Sequence, residues 1–161
     1  MSTTRIREAR LDDDKSAILE FIFALQVYEQ GFEANRRIDP QMAEEHYAVL
    51  IAHVEKHKGK ILVAEDEAAR PIGWAAFHEE EGGVFILADE RKHGFLAELY
   101  VVEAARGAGV GRALIAACEA WARGRGLVSL RIGLSARNGD ALKVYERAGY
   151  TPYALQVRKY L

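Results

Sequence analysis

The stretch Arg106-Gly107-Ala108-Gly109-Val110-Gly111-Arg112 lies between a strand predicted over residues 95–102 and an amphipathic helix predicted over residues 109–123. Three glycines in five residues lose more backbone entropy on folding than larger residues would, which favours a turn whose backbone approaches a ligand closely. The free N–H groups of the helix start and the positive end of its dipole favour a phosphate as that ligand. The alternative is a tight turn that only packs the helix closely on its neighbours.

Two known phosphate-binding motifs do not match this stretch. The dinucleotide fingerprint G-x-G-x-x-G/A fails, because its last position is Arg112 when the pattern starts at Gly107 and Leu114 when it starts at Gly109. A P-loop requires Gly-Lys-Ser/Thr, which the sequence lacks here. A nucleotide-binding regulator is therefore the weakest of the functional hypotheses that the sequence allows.

Hydrophobic periodicity divides the chain into strands and helices. Strands are predicted over residues 4–9, 61–64, 71–78, 95–102, 127–132 and 154–160, and helices over residues 15–28, 40–57, 109–123 and 138–148. The aspartates at positions 12–14 offer N-cap carboxylates to the first helix, and Asp39-Pro40 is typical of the start of the second. Residues 84–87 fit a further short strand or an extension of the preceding one. This order predicts an α/β domain with a mixed sheet.

Length, composition and charge indicate a single globular domain of 161 residues. The formal net charge is -2, but residues 1–105 carry 12 basic and 21 acidic side chains, whereas residues 106–161 carry 10 basic and 3 acidic ones. The basic C-terminal third favours an anionic ligand there, although solvated faces explain the charge counts more simply. A sequence pI of about 6.2 disfavours a nucleic-acid partner.

Cysteine content and hydropathy bear on location. Cys118 is the one cysteine, so no internal disulfide can form and a reducing cytoplasm is expected. Because Cys118 falls on the apolar stripe of a predicted helix, we expect it to be buried and not nucleophilic. No apolar run approaches the roughly 18–20 residues that cross a bilayer, and residues 1–5 show no secretory signal. We expect a cytoplasmic protein without a membrane partner.

Two ordered motifs resemble one protein family. Arg106-x-x-Gly109-x-Gly111, after Leu99-Tyr100-Val101, resembles the Q/R-x-x-G-x-G/A signature of the GNAT superfamily of acyl-CoA-dependent N-acetyltransferases. Downstream, Asn138-x-x-Ala141-x-x-x-Tyr145-x-x-x-Gly149-Tyr150 is similar to the helix that follows in that family. The resemblance implies one N-acetyltransferase domain over residues 1–161, with a GNAT-like acyl-CoA N-acyltransferase fold: a central mixed, mostly antiparallel sheet flanked by helices. It also implies acetyl-CoA as co-substrate and no metal.

The resemblance assigns the cofactor contacts residue by residue. The pyrophosphate would be held by Arg106, Gly107, Ala108, Gly109, Val110, Gly111 and Arg112. Leu99, Tyr100 and Val101 would pair their backbone with the pantetheine arm, and one N–H there would hold the thioester oxygen as it becomes an oxyanion. Arg106 adds charge, or else it braces the turn or lies in solvent. Asn138 would contact the cofactor, which is compatible with a role as helix N-cap.

Two residues are implied in proton transfer. Tyr145 would donate a proton to the departing thiolate; alternatively it belongs to a packing stripe with Ala141 and Ala148. Glu98 would take the proton of the amine, directly or through a water. Many family members carry two successive acidic residues here, whereas this chain has Ala97 before Glu98. Glu98 could instead be a rim carboxylate paired with an arginine.

Tyr28, Glu29 and Phe32, followed by Glu33, lie where the family builds its acceptor site. Together with Glu98 they suit an amine, although core and solvent-exposed positions explain them equally well. A small-molecule primary amine is preferred as acceptor, because nothing in the sequence marks a peptide groove. A protein N-terminal or lysine acetyltransferase and a non-catalytic acyl-CoA-binding sensor remain alternatives. The oligomeric state stays open, with a homodimer among the options.

Three histidines share one face of the second predicted helix. His46, His53 and His57 follow one another at i, i+7 and i+11. The i, i+4 spacing of His53 and His57 could hold a metal, but no His-Glu-x-x-His frame is present. A solvated helix face is the simpler interpretation, and we expect no metal.

Overall fold

The computed structural model describes residues 4–161 as a five-stranded sheet with helices on both faces. The elements in chain order are β1 (Arg5–Glu8), α1 (Leu11–Gln30), α2 (Pro40–Lys56), β2 (Lys60–Glu65), β3 (Pro71–Glu81), β4 (Lys92–Val101), a short 3-10 helix (Glu103–Ala105), α3 (Val110–Gly124), β5 (Leu130–Ile132) and α4 (Gly139–Arg147). No helix in this described part of the chain is both long and apolar enough to cross a membrane.

The sheet is mixed, as predicted. Its strand order is β1-β2-β3-β4-β5, in which β1 to β4 pair antiparallel and β5 pairs parallel with β4. The antiparallel neighbours follow one another in sequence through short connections or, between β1 and β2, through the two helices. The parallel pair requires a crossover, which α3 provides.

Helices cover both faces of the sheet and create two apolar layers. On one face, α1 and α2 pack against β2 and β3 through residues that include Ile18, Ile22 and Trp74. On the other face, α3 packs Leu114 and Cys118 against the same strands. Because β3 is buried on both faces, its centre, residues 74–77, is apolar throughout instead of alternating. Cys118 is fully buried, and burial raises the pKa of its thiol to about 12.

The start of α1 differs from the prediction. The helix begins at Leu11 instead of Lys15, and Arg10 is its N-cap without a side-chain cap. Asp14 is buried, accepts a hydrogen bond of 2.7 Å from the Arg10 backbone N–H, and pairs with the Arg7 guanidinium. Its carboxylate therefore ties β1 to the first turn of the helix. The predicted start of α2 is confirmed, since Asp39 caps the Met42 N–H and Pro40 follows it.

Two predicted strands are wrong. Residues 84–87 lie in a loop of turns, where Val84 and Phe85 are exposed and the Arg91 guanidinium donates to the carbonyls of Val84 and Ile86. Residues 154–160 belong to an exposed tail without regular structure. The tail passes beside β5, where the ring centroid of Tyr153 lies 4.2 Å from the guanidinium carbon of Arg131. Residues 151–161 make no backbone hydrogen bond to other described residues.

Candidate active site

A wedge opens where β4 and β5 separate. β5 is only three residues long and pairs with β4 at Gly94, Phe95 and Leu96. Beyond Leu96, β4 continues to Val101, so its outer edge has no strand partner within residues 4–161. A strand edge of this kind exposes N–H and C=O groups that can pair with an extended ligand.

A β-bulge lies at the apex of the wedge. Ala76 of β3 pairs with Glu98 and Phe77 pairs with Leu96, so Ala97 is the extra residue in β4. Such an extra residue changes which N–H groups point to each edge of the strand. Ala97 occupies the position where the resemblance suggests a second acid, and as the extra residue it changes the edge of β4 to which the following N–H groups point.

Because of the bulge, the backbone N–H groups of Leu99 and Val101 point into the wedge. Before the bulge, the Gly94 N–H bonds to the β5 side, at the Ser129 carbonyl. After it, the Val102 N–H bonds to the β3 side, at the Ile72 carbonyl. Because successive N–H groups in a strand point to opposite edges, the groups of Leu99 and Val101 face the opening.

The glycine-rich loop, residues 106–112, leads into α3, and most of its backbone N–H groups have no hydrogen-bond acceptor in the described part of the chain. Gly107 and Gly109 adopt φ values of 79° and 86°, a left-handed region that favours glycine. The first helical hydrogen bond runs from the Ala113 N–H to the Gly109 carbonyl. The N–H groups of residues 107–112 donate to nothing within residues 4–161. The loop borders a surface depression of about 500 Å³, lined by Thr4, Ala108, Gly109, Arg112, Ala113 and Ala116.

Arg106 turns back towards β4 instead of extending over the loop. Its Nε donates a hydrogen bond of 3.0 Å to the Val101 carbonyl. The guanidinium carbon lies 5.7 Å from the ring centroid of Tyr100 and 6.0 Å from that of Tyr28. This geometry agrees with bracing of the turn; Arg106 is also exposed, and its contact with the cofactor stays a prediction.

Glu98 is buried at the bulge beside a histidine. Its Oε1 lies 2.7 Å from Nε2 of His46, a residue of α2. Its Oε2 is buried without a hydrogen-bond partner among the described residues. The hydrogen bond to Glu98 raises the pKa of His46 above its usual value, against the opposing effect of burial. The partner of Glu98 is therefore a histidine, and not the arginine of the alternative interpretation.

Further carboxylates from α1 and its following turn lie near Glu98. Burial is the main cause that raises the pKa of Glu29, and the charges of Glu98 and Glu33 add to it. Arg36 lies 3.3 Å from the Glu29 carboxylate and opposes the shift. Burial also raises the pKa of Tyr145 to about 12, and the charge of Glu29 contributes. Glu29 on α1 therefore lies within electrostatic reach of both Glu98 on β4 and Tyr145 on α4.

Contacts next to Glu29 join α1 and the turn after it to the segments that follow β5. Tyr28 and Phe32 meet edge to face with ring centroids 5.2 Å apart. Ser135 Oγ donates a hydrogen bond of 2.9 Å to Glu33, which is the main cause that lowers the pKa of Glu33. Arg158 of the C-terminal tail lies 3.2 Å from the same carboxylate. The turn after α1 is therefore held from two later parts of the chain.

On α4, Asn138 caps the helix, because its Oδ1 accepts a hydrogen bond of 3.1 Å from the Ala141 N–H. The N-cap role is thereby confirmed, and the amide nitrogen of Asn138 donates to nothing within residues 4–161. Tyr145 packs against the apolar layer below α3 and meets Tyr150 edge to face at 6.0 Å. The packing role of Tyr145 and a role in chemistry are compatible.

Residues 23–150 match the model of the Acetyltransferase (GNAT) family. The chain belongs to the GNAT family. The match includes the wedge, the glycine-rich loop and α4.

Individual relatives agree with this GNAT assignment. A stretch of 64 residues is 44% identical to aminoglycoside N(6')-acetyltransferase type 1 of Klebsiella aerogenes, and it covers 40% of this chain and 41% of that enzyme. Among solved structures, a candidate acetyl transferase from Pyrococcus furiosus matches 99% of this chain and 100% of its own, with a TM-score of 0.78 and 23% identity. The tetramutant of the BH1408 protein from Bacillus halodurans matches 98% and 99%, with a TM-score of 0.80 and 19% identity. The two structures show that the fold is shared.

Sequence reasoning missed His46 as a neighbour of the GNAT wedge. The prediction that His46 lies on a solvated helix face is wrong, because His46 is half-buried and hydrogen-bonded to Glu98. A signal was present, since His46 follows the buried Met42 by four residues and precedes the buried Leu50 by four. It therefore lies on the apolar stripe of α2. No local sequence pattern indicated the contacts of Ser135 and Arg158 with Glu33, because each joins residues more than 100 positions apart.

Proposed function

We propose that this GNAT-family protein transfers the acetyl group of acetyl-CoA to a primary amine of a small molecule, by direct attack in a ternary complex. The observation that carries the proposal is the buried carboxylate of Glu98, with one oxygen free, at the apex of an unpaired strand edge. A carboxylate in that position suits deprotonation of an amine beside an extended thioester ligand. The family assignment supports acetyl transfer as the reaction.

The chain offers two backbone surfaces for the co-substrate. The free N–H groups of residues 107–112 and the N-terminus of α3 suit its diphosphate. The open edge of β4 at Leu99, Tyr100 and Val101 suits the amide-bearing pantetheine arm. Arg112 adds positive charge at the loop, and the Asn138 amide is a further donor for the same ligand.

Bound acetyl-CoA supplies a thioester, so the new N–C bond forms as the C–S bond breaks. The Leu99 N–H faces the wedge and serves as the oxyanion donor, a contribution of roughly 3–4 kcal/mol for such groups. Tyr145 donates its proton to the departing sulfur, and its raised pKa keeps it protonated near neutral pH. The amine supplies the proton that restores Tyr145, so the products are an amide, a thiol and one released proton.

The released proton leaves through Glu98. An acceptor amine arrives mostly as an ammonium ion and loses one proton to Glu98 Oε2. The other carboxylate oxygen, Oε1, accepts the 2.7 Å hydrogen bond from the Nε2–H of His46 and is held in place by it. Because that nitrogen already carries a proton, Glu98 returns the proton of the amine to water.

The acceptor site suits a cation with more than one polar group. Glu29 and Glu33 supply negative charge near Glu98, and Tyr28 with Phe32 supplies aromatic surface at the rim. The partial match to an aminoglycoside acetyltransferase supports a small, amine-bearing acceptor. We keep the cytoplasm as the expected location, with no nucleic-acid partner.

A panel of amines, assayed for free thiol with acetyl-CoA, tests the proposal. We expect thiol release with small polyamines and none with neutral alcohols of similar size. A non-catalytic sensor would bind acetyl-CoA without thiol release for any amine. Reaction with peptide amines alone would replace the small-molecule proposal by the protein acetyltransferase alternative.

A further inference from the structure

A histidine cluster, formed by His53, His57 and His78, joins the end of α2 to β3. The rings of His53 and His57 stack with centroids 4.3 Å apart, and His78 meets His53 edge to face at 4.4 Å. Glu80 lies two residues beyond His78 on the same side of β3. One ligand atom each from His53, His78 and Glu80 lies within 4.8 Å of the other two.

The hydrogen bond of His78 determines which of its ring nitrogens keeps a lone pair. His78 is buried, and its Nδ1 lies 3.1 Å from the Glu79 carbonyl. Because a carbonyl only accepts hydrogen bonds, Nδ1 carries the proton and Nε2 keeps its lone pair. A backbone carbonyl that fixes the ring in this way is the usual outer partner of a metal-bound histidine.

Each of the other two groups has a histidine beside it. The stacked ring of His57 limits the rotation of the exposed His53. His93, buried and bonded through Nδ1 to the Arg91 carbonyl, places its Nε2 3.6 Å from Glu80 Oε2.

We propose that His53, His78 and Glu80 bind a divalent transition-metal ion such as Zn²⁺. Two imidazoles and one carboxylate are a common ligand set for this ion, with water as the fourth ligand. Tetrahedral ligation at about 2.1 Å separates ligand atoms by about 3.4 Å. The three groups therefore need to close by no more than about 1.4 Å, which side-chain rotation provides. This site departs from the metal-free protein expected from the sequence.

The metal site is separate from the proposed active site. His53 follows His46 by two helical turns, about 10 Å along α2, and Glu80 pairs with His93, which precedes Glu98 by five residues in β4. The ion would join the end of α2 to β3 and stabilise the fold. The inference does not depend on acetyl transfer, so either proposal can fail alone.

Calorimetric titration of the untagged full chain with Zn²⁺ tests the site. We expect one ion per chain, and a thermal shift of about 5 °C or more at 100 times Kd. His53→Ala and Glu80→Gln should each weaken binding at least about tenfold. Both positions lie at the surface, whereas the buried His78 is left intact because its removal could prevent folding.

His57→Phe is the matched control. It keeps a ring stacked on His53 but removes the nitrogen ligands, so the affinity for Zn²⁺ should stay within about threefold of the wild type. The absence of saturable binding at a 1:1 ratio would overturn the proposal. An equal loss of affinity in His57→Phe and His53→Ala would also overturn it, because the ion would then be held by a different pair on α2.

Discussion

Glu98 and His46, 52 residues apart in the sequence, are joined by a hydrogen bond of 2.7 Å between β4 and α2. The other Glu98 oxygen is buried without a partner in the described part of the chain. A free carboxylate oxygen in such a place is costly unless something completes it. In the proposed enzyme, the ammonium group of the acceptor completes it.

Glu98→Gln removes the proposed base while keeping the shape of the side chain. We expect kcat for thiol release to fall at least about 100-fold, while the Kd of acetyl-CoA changes by less than about twofold. His46→Gln should lower kcat less, because Glu98 can still exchange protons with water. An unchanged kcat in Glu98→Gln would assign deprotonation of the amine to another group.

The activity should depend on pH through His46. Its pKa is raised in the folded protein, and a positive charge on the imidazole beside Glu98 opposes proton transfer from the amine to that carboxylate. We therefore expect kcat/KM to rise with pH through a value above about 6.5. The pH profile of His46→Gln should lack this rise, and an identical profile would mean that the charge of His46 does not affect the reaction.

The same shift predicts a pH-dependent stability. The folded protein holds the His46 proton more tightly than the unfolded chain does. The stabilisation is therefore complete below about pH 6.5 and is lost as the pH rises through the folded pKa. Thermal unfolding should show a larger difference between wild type and His46→Gln near about pH 6 than near about pH 9. If the difference in thermal stability between the two proteins grew with pH, folding would lower the pKa of His46 instead of raising it.

Tyr145→Phe tests the proposed proton donor to sulfur. We expect kcat to fall about tenfold or more with little change in the Kd of acetyl-CoA, because the ring that packs against α3 is kept. Tyr150→Phe is the matched control, since Tyr150 lies beside Tyr145 but hydrogen-bonds to Glu119. Equal effects in the two variants would indicate a packing role only.

Gly109→Ala tests the loop. An L-residue in the left-handed conformation costs roughly 1–2 kcal/mol and disturbs the backbone amides of the loop. Gly126→Ala introduces the same strain at φ 72°, where an added Cβ meets nothing within 4 Å. We expect both to lower Tm, and only Gly109→Ala to weaken acetyl-CoA binding, as isothermal titration would measure. A comparable loss of affinity in Gly126→Ala would contradict a specific role for the loop.

Glu29→Gln tests the acceptor site. Loss of this half-buried charge should raise KM for a cationic amine about tenfold and leave the Kd of acetyl-CoA unchanged, since hydrogen bonds to charged groups contribute about 1.5–3 kcal/mol. Glu20→Gln changes an exposed charge on the same helix and should have no effect on KM. The acceptor site lies elsewhere if the two variants behave alike.

The fold was predictable where local pattern determines structure. The glycine-rich loop, the apolar stripe of α3 and the Asp39-Pro40 start of α2 depend on neighbouring residues, and the structure agrees with them. Within the predicted strand at residues 154–160, residues 155–158 alternate apolar and polar side chains, a pattern that suits a strand. A strand also requires backbone pairing, which the tail does not form. Pattern alone therefore could not decide its structure.

The candidate site was predictable in its backbone and less so in its side-chain pairs. The strand edge and the loop follow from two motifs of consecutive residues. The contacts of Glu98 to His46 and of Glu33 to Ser135 join residues far apart in the chain, and no short window of sequence encodes them. The bulge at Ala97 likewise arises from the register between β3 and β4.

A crystal structure with acetyl-CoA at millimolar concentration tests the central claim most directly. We expect the diphosphate oxygens on the N–H groups between Gly107 and Arg112, and the pantetheine arm along β4 beside Leu99 and Val101. Absence of binding at this concentration, or a diphosphate seated away from the loop, would contradict the account.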